Sequence, residues 1–274
     1  MEQDKLYRNK EWLASKFKEF KTPSKVADGT GYPRTCITRY ALKYNIYNPK
    51  YNRSKRNYVD ENYFKEIDTK EKAYFLGFIM ADGNVYQKSD GKYQFSIKIK
   101  ATDKDILYKF AKAISFDPSN IKEREEVRGT MTTRCAEIKI YNQVFCNNLI
   151  DKNVIPRKTG KEVMPDIKKK FKRDFIRGYI DGDGWIGKSQ PQVGFCSSSL
   201  KIMEQMVNYI KSELNIELKI IDQKDCYVVK TYAKKKVYQL IKHFYYKDCI
   251  SLDRKKSIAL KSKDNIIDTL IGSL

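Results

Sequence analysis

The sequence predicts an α+β protein: two repeats of the order α-β-β-α-β-β-α, preceded by a small all-α module. Three observations predict it. Two stretches of helical length, "AYFLGFIMADGNV" (73–85) and "DFIRGYIDGDGWI" (174–186), each reach an acid followed by glycine, roughly a hundred residues apart. Each is followed by the same alternation of strand and helix patterns. The segment before them reads as helix, short helix, glycine turn, helix.

In that first segment, "RNKEWLASKFKEF" (8–20) places Trp12, Leu13, Phe17 and Phe20 at helical spacing. Ser24 can cap a short helix running through Asp28, "DGTG" makes a tight turn, and Pro33 suits the first turn of the next helix. In that helix Ile37, Tyr40, Ala41 and Tyr44 share one face, while Arg34, Thr35, Thr38 and Arg39 look elsewhere. The pattern fits a helix-turn-helix over 1–48, whose last helix would enter a major groove; a small helical cap on the next domain is the other reading. Residues 49–64 are polar, basic and aperiodic. They read as a linker that tracks a phosphate backbone or orders only when DNA is present.

The first repeat is expected over 65–165. "QFSIKIKAT" (94–102) alternates cleanly, with Phe95, Ile97 and Ile99 on one side and Gln94, Ser96, Lys98 and Lys100 on the other. A helix (103–114), two strands (around 121–128 and 133–141), a helix (142–153) and "IPRKTG" (155–160) follow. The second repeat, 166–274, gives "QPQVGFCSSS" (190–199), a helix (200–214), strands near 218–222 and 226–233, a helix (235–246) and "SLDRKKS" (251–257). The basic knots "RKTG" and "DRKKS" lie at nearly equal offsets from the two acids, which points to duplication.

The chain of 274 residues carries 55 Lys and Arg against 34 Asp and Glu, a net charge of +21. That balance suits a polyanionic partner bound through phosphates, with affinity falling steeply with salt; a Lys-rich composition from an AT-rich genome has the same look. No apolar run is long enough to span a membrane, and the amino terminus lacks a signal core. Six scattered cysteines without a C-x-x-C pair read as reduced thiols in a cytoplasm and speak against zinc. With His243 the only histidine, a nuclease built on a His base and His ligands cannot be assembled. Asp, Glu and Lys must carry any catalysis.

The twin helices supply the acids. Ala73, Gly77 and Ala81 form a smooth ridge on one; Gly178 and Gly182 continue one from Asp174 on the other. Small residues at this spacing let helix backbones approach closely, so the helices are expected to pack ridge to ridge. Asp82 and Asp183 then meet at neighbouring carboxyl ends, where like charges and two negative helix poles call for a cation. Oxygen-only donors suit Mg²⁺, with the carbonyls of Ala81 and Gly182 as further ligands. Gly83 and Gly184 would let the chain turn sharply into the first strand of each repeat.

"FLGFIMADG" (75–83) and "IRGYIDGDG" (176–184) resemble the signature helices of LAGLIDADG homing endonucleases of the single-chain, two-repeat type; the resemblance covers roughly 65–265. "VADGTGYPRTCITRYALKYNI" resembles the helix-turn-helix modules of some phage and bacterial members. The motif's eighth position matches Asp82 and Asp183, the metal-binding acids. Its sixth position, not a ligand, is Asp181 in one copy and Met80 in the other.

The resemblance implies a saddle of two antiparallel sheets over a DNA major groove. Lys98, Lys100, Arg124, Arg128, Arg134 and Lys139 are implied readers in the first half, and Lys188, Gln190, Gln192, Lys219 and Lys230 in the second. It implies two or three Mg²⁺ ions between the acids and scissile phosphates, and cleavage of both strands with 3′ overhangs. Lys158 and Lys255 would attend the two centres. Lys100 falls at another active-site position, whose counterpart would be Cys196. The implied enzyme is a monomer acting on a long, asymmetric double-stranded DNA site, in a bacterial or phage-infected cytoplasm, with intron mobility as its setting. A regulator or RNA-splicing maturase that binds without cutting is the alternative on the same scaffold.

Overall fold

The computed structural model describes residues 5–47 and 58–271. The chain divides into two compact units, Met1–Asn57 and Tyr58–Leu274.

In the first unit, three short helices follow a 3₁₀ turn at Leu6–Arg8: α1 (Lys10–Phe20), α2 (Pro23–Thr30) and α3 (Arg34–Lys43). Leu13, Val26, Ile37 and Ala41 are fully buried and form its core with Tyr7. Two local expectations shift. The cap of α2 is Thr22, whose side chain accepts from Lys25 N, rather than Ser24. The helix continues through "DGT" to Thr30 and stops at Gly31, whose φ of 74° closes it in the left-handed region. At Gly29, within the helix, the Phe20 ring occupies the space a side chain would need.

The second unit holds both repeats around one core. The first runs α4 (Lys70–Asp82), β1 (Gly83–Gln87), β2 (Tyr93–Lys100), α5 (Asp105–Ala113), β3 (Lys122–Arg128), β4 (Met131–Ile140) and α6 (Gln143–Ile150). The second runs α7 (Lys169–Asp183), β5 (Gly184–Ile186), β6 (Val193–Ser197), α8 (Leu200–Leu214), β7 (Ile220–Gln223), β8 (Cys226–Thr231) and α9 (Lys234–Phe244). Each repeat makes a four-stranded antiparallel sheet, ordered β1-β2-β4-β3 and β5-β6-β8-β7. The fold class read from the sequence is the one observed. A long helix, α10 (Asp253–Ile271), closes the chain; "SLDRKKS" leads into its first turns, whereas "IPRKTG" contains no helix.

The linker expected over 49–64 is corrected where it can be seen; its residues 49–57 lie outside the described residues. Val59, Tyr63 and Phe64 are buried in the core of the second unit. Asp60 N donates to Ile114 O at 2.8 Å, and Asn148 Nδ2 to Glu61 O at 2.8 Å. Apolar residues in "YVDENYF" outweigh its polar composition, because each such burial contributes about 1.5–3 kcal/mol.

α4 is buried on every side from Ala73 to Met80, as expected of a helix apolar all round. It packs on α7 backbone to backbone. A Cβ added to Gly77 would lie 1.9 Å from Phe175 O, and one on Gly178 would lie 2.0 Å from Tyr74 O. Neither obstacle is a side chain that can swing away. At the other end of α7, Asp174 and Arg177 form a fully buried ion pair at 2.7 Å. Arg177 also donates to Ile250 O and Phe244 O, and Tyr246 OH donates to Asp174. These bonds join α7 to the segment after α9.

Gly77→Ala or Gly178→Ala is expected to cost about 3 kcal/mol or more, above the usual range for overpacking, since backbone must move. Urea unfolding of each variant checks this; wild-type stability would remove the close approach.

Candidate functional site

The glycine-lined contact fixes where the helix ends fall. α4 ends at Asp82 and α7 at Asp183. A Cβ on Gly182 would stand 2.4 Å from Ala81 Cβ and 3.1 Å from Asp82 Oδ2, so the two poles share one region. Burial pushes the Asp82 carboxyl up to about 6, and the charge of Asp183 pushes the same way, against Lys255 and Lys158. Asp183 is also raised, by burial first, with Lys158 and Lys255 opposing and Glu162 adding to the rise. Gly83 and Gly184 follow the acids for a steric reason rather than a conformational one. Both have negative φ, and a Cβ at either would lie 2.7 Å from the carbonyl oxygen of Ile79 or Ile180.

Two lysines answer the negative helix ends. Lys158 Nζ donates to Ala81 O at 2.9 Å. Lys255, itself buried, donates to Ile180 O at 2.8 Å, Asp181 O at 2.7 Å and Gly184 O at 2.6 Å. Burial lowers both ammonium groups. Their fields act crosswise: Lys255 outweighs Lys158 at Asp82, and Lys158 outweighs Lys255 at Asp183. The Ala81 carbonyl, expected as a metal ligand, thus already accepts an ammonium. The Gly182 carbonyl takes only a 3.5 Å contact from Lys255.

Asp181 is structural. It is fully buried and accepts from Tyr74 OH at 2.8 Å, Tyr245 OH at 2.7 Å and Leu252 N at 2.8 Å, tying α4 and α7 to the segment before α10. Asp103, which the sequence reading missed, is buried and accepts from Arg254 Nε and Nη2 at 2.9 and 2.8 Å. Glu162, also missed, is buried near Lys158 and Asp183, whose ionisation it perturbs. Asp103 lies in a 3₁₀ turn (Ala101–Asp103) and Glu162 in a loop, both too short or irregular for periodicity to carry a signal.

Strand register sorts the remaining candidates. Phe95 and Ile97, with Ala136, Ile138 and Ile140, face the helices. Lys98 and Lys100, with Cys135, Glu137 and Lys139, therefore share the open face, and Lys122 and Arg124 join them by pairing. Lys122 was missed although alternation in β3 could have found it. Arg134 is corrected: it has the parity of Ala136, lies on the other face and pairs with Glu123 at 3.4 Å. Lys98 is bound to Glu126 at 2.7 Å, and Arg124 and Lys139 to Glu137, so acids orient these cations. Arg128 pairs with Met131 at the hairpin end.

In the second sheet Trp185, Gly194, Cys196, Val228 and Lys230 share the open face. The Trp185 ring lies over Gly194, where a Cβ would come within 2.3 Å of it. Lys188 and Gln190 are exposed in the β5–β6 loop, Gln192 donates to Tyr232 OH at 3.2 Å, and exposed Lys219 precedes β7. Gly83 faces Ile97 as Gly184 faces Phe195. The counterpart of Cys196 is therefore Lys98, not Lys100, whose counterpart is Ser198. Cys196 Sγ donates to Asp183 O at 3.5 Å. A cleft of about 440 Å³ joins Asp82, Gly182, Asp103 and Arg254 to Lys98 and Lys100, so the acid opens onto the open face of the first sheet. In the first unit Arg34, Thr35 and Arg39 are exposed on α3, and Thr38 Oγ1 bonds back to Arg34 O at 2.8 Å.

Residues 170–244 match the model of the LAGLIDADG-like domain. The matched stretch contains the α7 copy of the paired helix and the sheet behind it. No curated protein sequence matches the chain. Among solved structures, the homing endonuclease I-WcaI bound to its DNA recognition sequence is similar at 11% identity and a TM-score of 0.48, over 71% of this chain and 90% of that one. I-DmoI in complex with DNA and Mn gives 16% identity and 0.43, over 65% and 97%. Full-length DUF199/WhiA from Thermatoga maritima gives 12% and 0.45, over 80% and 73%. Likeness at this level is too slight to transfer an activity.

The raised carboxyls give a signed expectation. A carboxyl raised in the fold favours its neutral form there, so its contribution is full below the ordinary carboxylate value. That contribution is lost as pH rises from about 4 to about 6. Without divalent metal, Asp82→Asn is expected to raise Tm by a few degrees above pH 6 and to leave it unchanged near pH 4. Calorimetry at the two pH values checks this, and a lower Tm for the variant at pH 7 would contradict it.

Proposed function

We propose that the chain is a site-specific, divalent-metal-dependent double-strand DNA endonuclease of the LAGLIDADG homing type. The observation that carries the reading is the meeting of Asp82 and Asp183 at one pole of two interlocked helices, opening toward a basic sheet face. The domain match over 170–244 and the net charge of +21 support it.

The donor chemistry fits a hard divalent cation. Two desolvated carboxylates lie at one shared pole, and hard oxygen donors of this kind suit such an ion. Among the described residues no three His, Cys, Asp or Glu side chains converge, so phosphate and water oxygens would complete the shell. Asp82 and Asp183 would hold Mg²⁺, which supplies activation of water and stabilisation of the leaving oxygen. Lys158 and Lys255 hold ammonium groups beside the acids, where they offset negative charge developing on phosphate. Lys98 and Lys100 reach the Asp82 cleft from the first sheet. Lys122, Arg124, Lys139 and Lys230 contact DNA from the open faces, and Arg34, Thr35 and Arg39 from the first unit acting as a helix-turn-helix. One chain supplies both acids, so the enzyme works as a monomer on a long asymmetric target and leaves 3′ overhangs. It acts in a bacterial or phage-infected cytoplasm, as in intron mobility.

A second reading, a DNA-binding protein that does not cut, draws on one observation: Lys158 and Lys255 already satisfy carbonyls at the helix ends. Cleavage decides between them. On duplexes spanning the DNA that flanks the coding sequence, wild type is expected to cut both strands with Mg²⁺ and not with EDTA. Asp82→Asn and Asp183→Asn are expected to lower double-strand cutting at least a hundredfold while changing Kd less than threefold. Normal cutting by either variant would falsify the metal assignment. Removal of residues 1–57 is expected to weaken target binding at least tenfold with little change in the single-turnover rate once bound; unchanged Kd would reduce that unit to a structural cap.

A further inference from the structure

The two lysines at the helix ends are not balanced in the same way. Lys255 is buried and needs a counter-charge, because an unpaired cation in the interior is costly. Asp181, next to the carbonyls that Lys255 caps, is that acid, fully buried and held by three donors. The equivalent position on α4 is Met80, fully buried and apolar. Lys158 therefore lacks, on the helix it caps, an acid at the place that Asp181 holds on α7.

The first repeat carries one elsewhere. Glu162 follows Lys158 by four residues, across a turn closed by Lys161 N donating to Lys158 O at 2.7 Å. The position four residues after Lys255 is Ala259, fully buried. The acid has changed places between the repeats: Met80 with Glu162 in one, Asp181 with Ala259 in the other. Glu162 is only 6% exposed, and its main-chain oxygen accepts from Ser199 Oγ at 2.7 Å, which pins its loop beside α8. Its Oε2 is buried without a hydrogen-bond partner, a costly state that calls for an explanation. Glu162 is the strongest charged influence on Lys158 and also acts on Asp183.

We propose that Glu162, buried one turn from Lys158 with an unpartnered oxygen, is a positioning residue that supplies the counter-charge for Lys158 at the Asp183 centre, taking the part that Asp181 plays for Lys255. Its catalytic consequence rests on the endonuclease reading; its pairing with Lys158 does not. The two centres thus reach the same charge by different residues, and a change at Glu162 is felt by one strand of the target only.

Two measurements test this. In metal-free buffer without DNA, urea unfolding is compared for wild type, Lys158→Met, Glu162→Gln and the double variant. The double variant is expected to exceed the additive value at least fivefold in the folding equilibrium constant. Additive effects would overturn the pairing, whether or not the protein cuts DNA. On a duplex carrying a cleaved site selected from a randomised library, each strand labelled separately, Glu162→Gln is expected to slow one strand at least tenfold relative to the other. That strand is the one slowed by Lys158→Met, Lys255→Met slows the opposite one, and Glu162→Asp restores most of the rate. Equal slowing of both strands together with a lowered Tm would make Glu162 merely structural. Strand-selective slowing with no dependence on Lys158 would also contradict the proposal. If wild type cuts nothing, the endonuclease reading fails and the unfolding cycle alone decides the pairing.

Discussion

Everything in the second unit depends on the backbone contact between α4 and α7. Gly77 meets the Phe175 carbonyl and Gly178 meets that of Tyr74, at distances no side chain could share. Glycine inside a helix costs up to about 1 kcal/mol relative to alanine. Here it permits an approach that sets two helix ends side by side, and it places the Gly182 backbone against Asp82. Tyr74 OH donating to Asp181 then ties the two helices directly, while Asp174 with Arg177 and Tyr246 anchors α7 to the segment after α9.

That geometry gathers negative charge where little water can dissipate it. The fold responds with ammonium groups before any metal is considered. Lys158 comes from a loop and Lys255 from the first turn of α10, yet both reach carbonyls at a helix end. The crosswise influence of the two lysines means that each centre draws on both repeats. The sheets diverge more freely. β3 and β4 are longer than β7 and β8, and the row Asn84, Ser96, Lys139 becomes Trp185, Gly194, Lys230. Such divergence suits the reading of two unlike half-sites.

Much of this was legible in the sequence because duplication repeats its landmarks. The small-residue ridge predicted the helix contact, the acids after it predicted the shared pole, and alternation in "QFSIKIKAT" placed Lys98 and Lys100 together. What failed did so for physical reasons. Arg134 was misplaced because a face depends on register, and its polar stretch of β4 carries no apolar alternation to set one. Cys196 was matched to Lys100 through the resemblance, whereas strand pairing aligns it with Lys98. The ammonium on the Ala81 carbonyl was not foreseen, because it arrives from 77 residues away and leaves no local trace. Asp103 and Glu162 were missed since a single 3₁₀ turn and a loop carry no period.

The most direct measurement of the central claim is a carboxyl ¹³C NMR titration of Asp82 in the metal-free protein, alone and with Asp183→Asn. The paired-helix account predicts a midpoint near 6 in wild type that falls when Asp183 is neutralised. An ordinary carboxylate midpoint, indifferent to residue 183, would mean that the two acids do not share a pole, and the account would be wrong at its root.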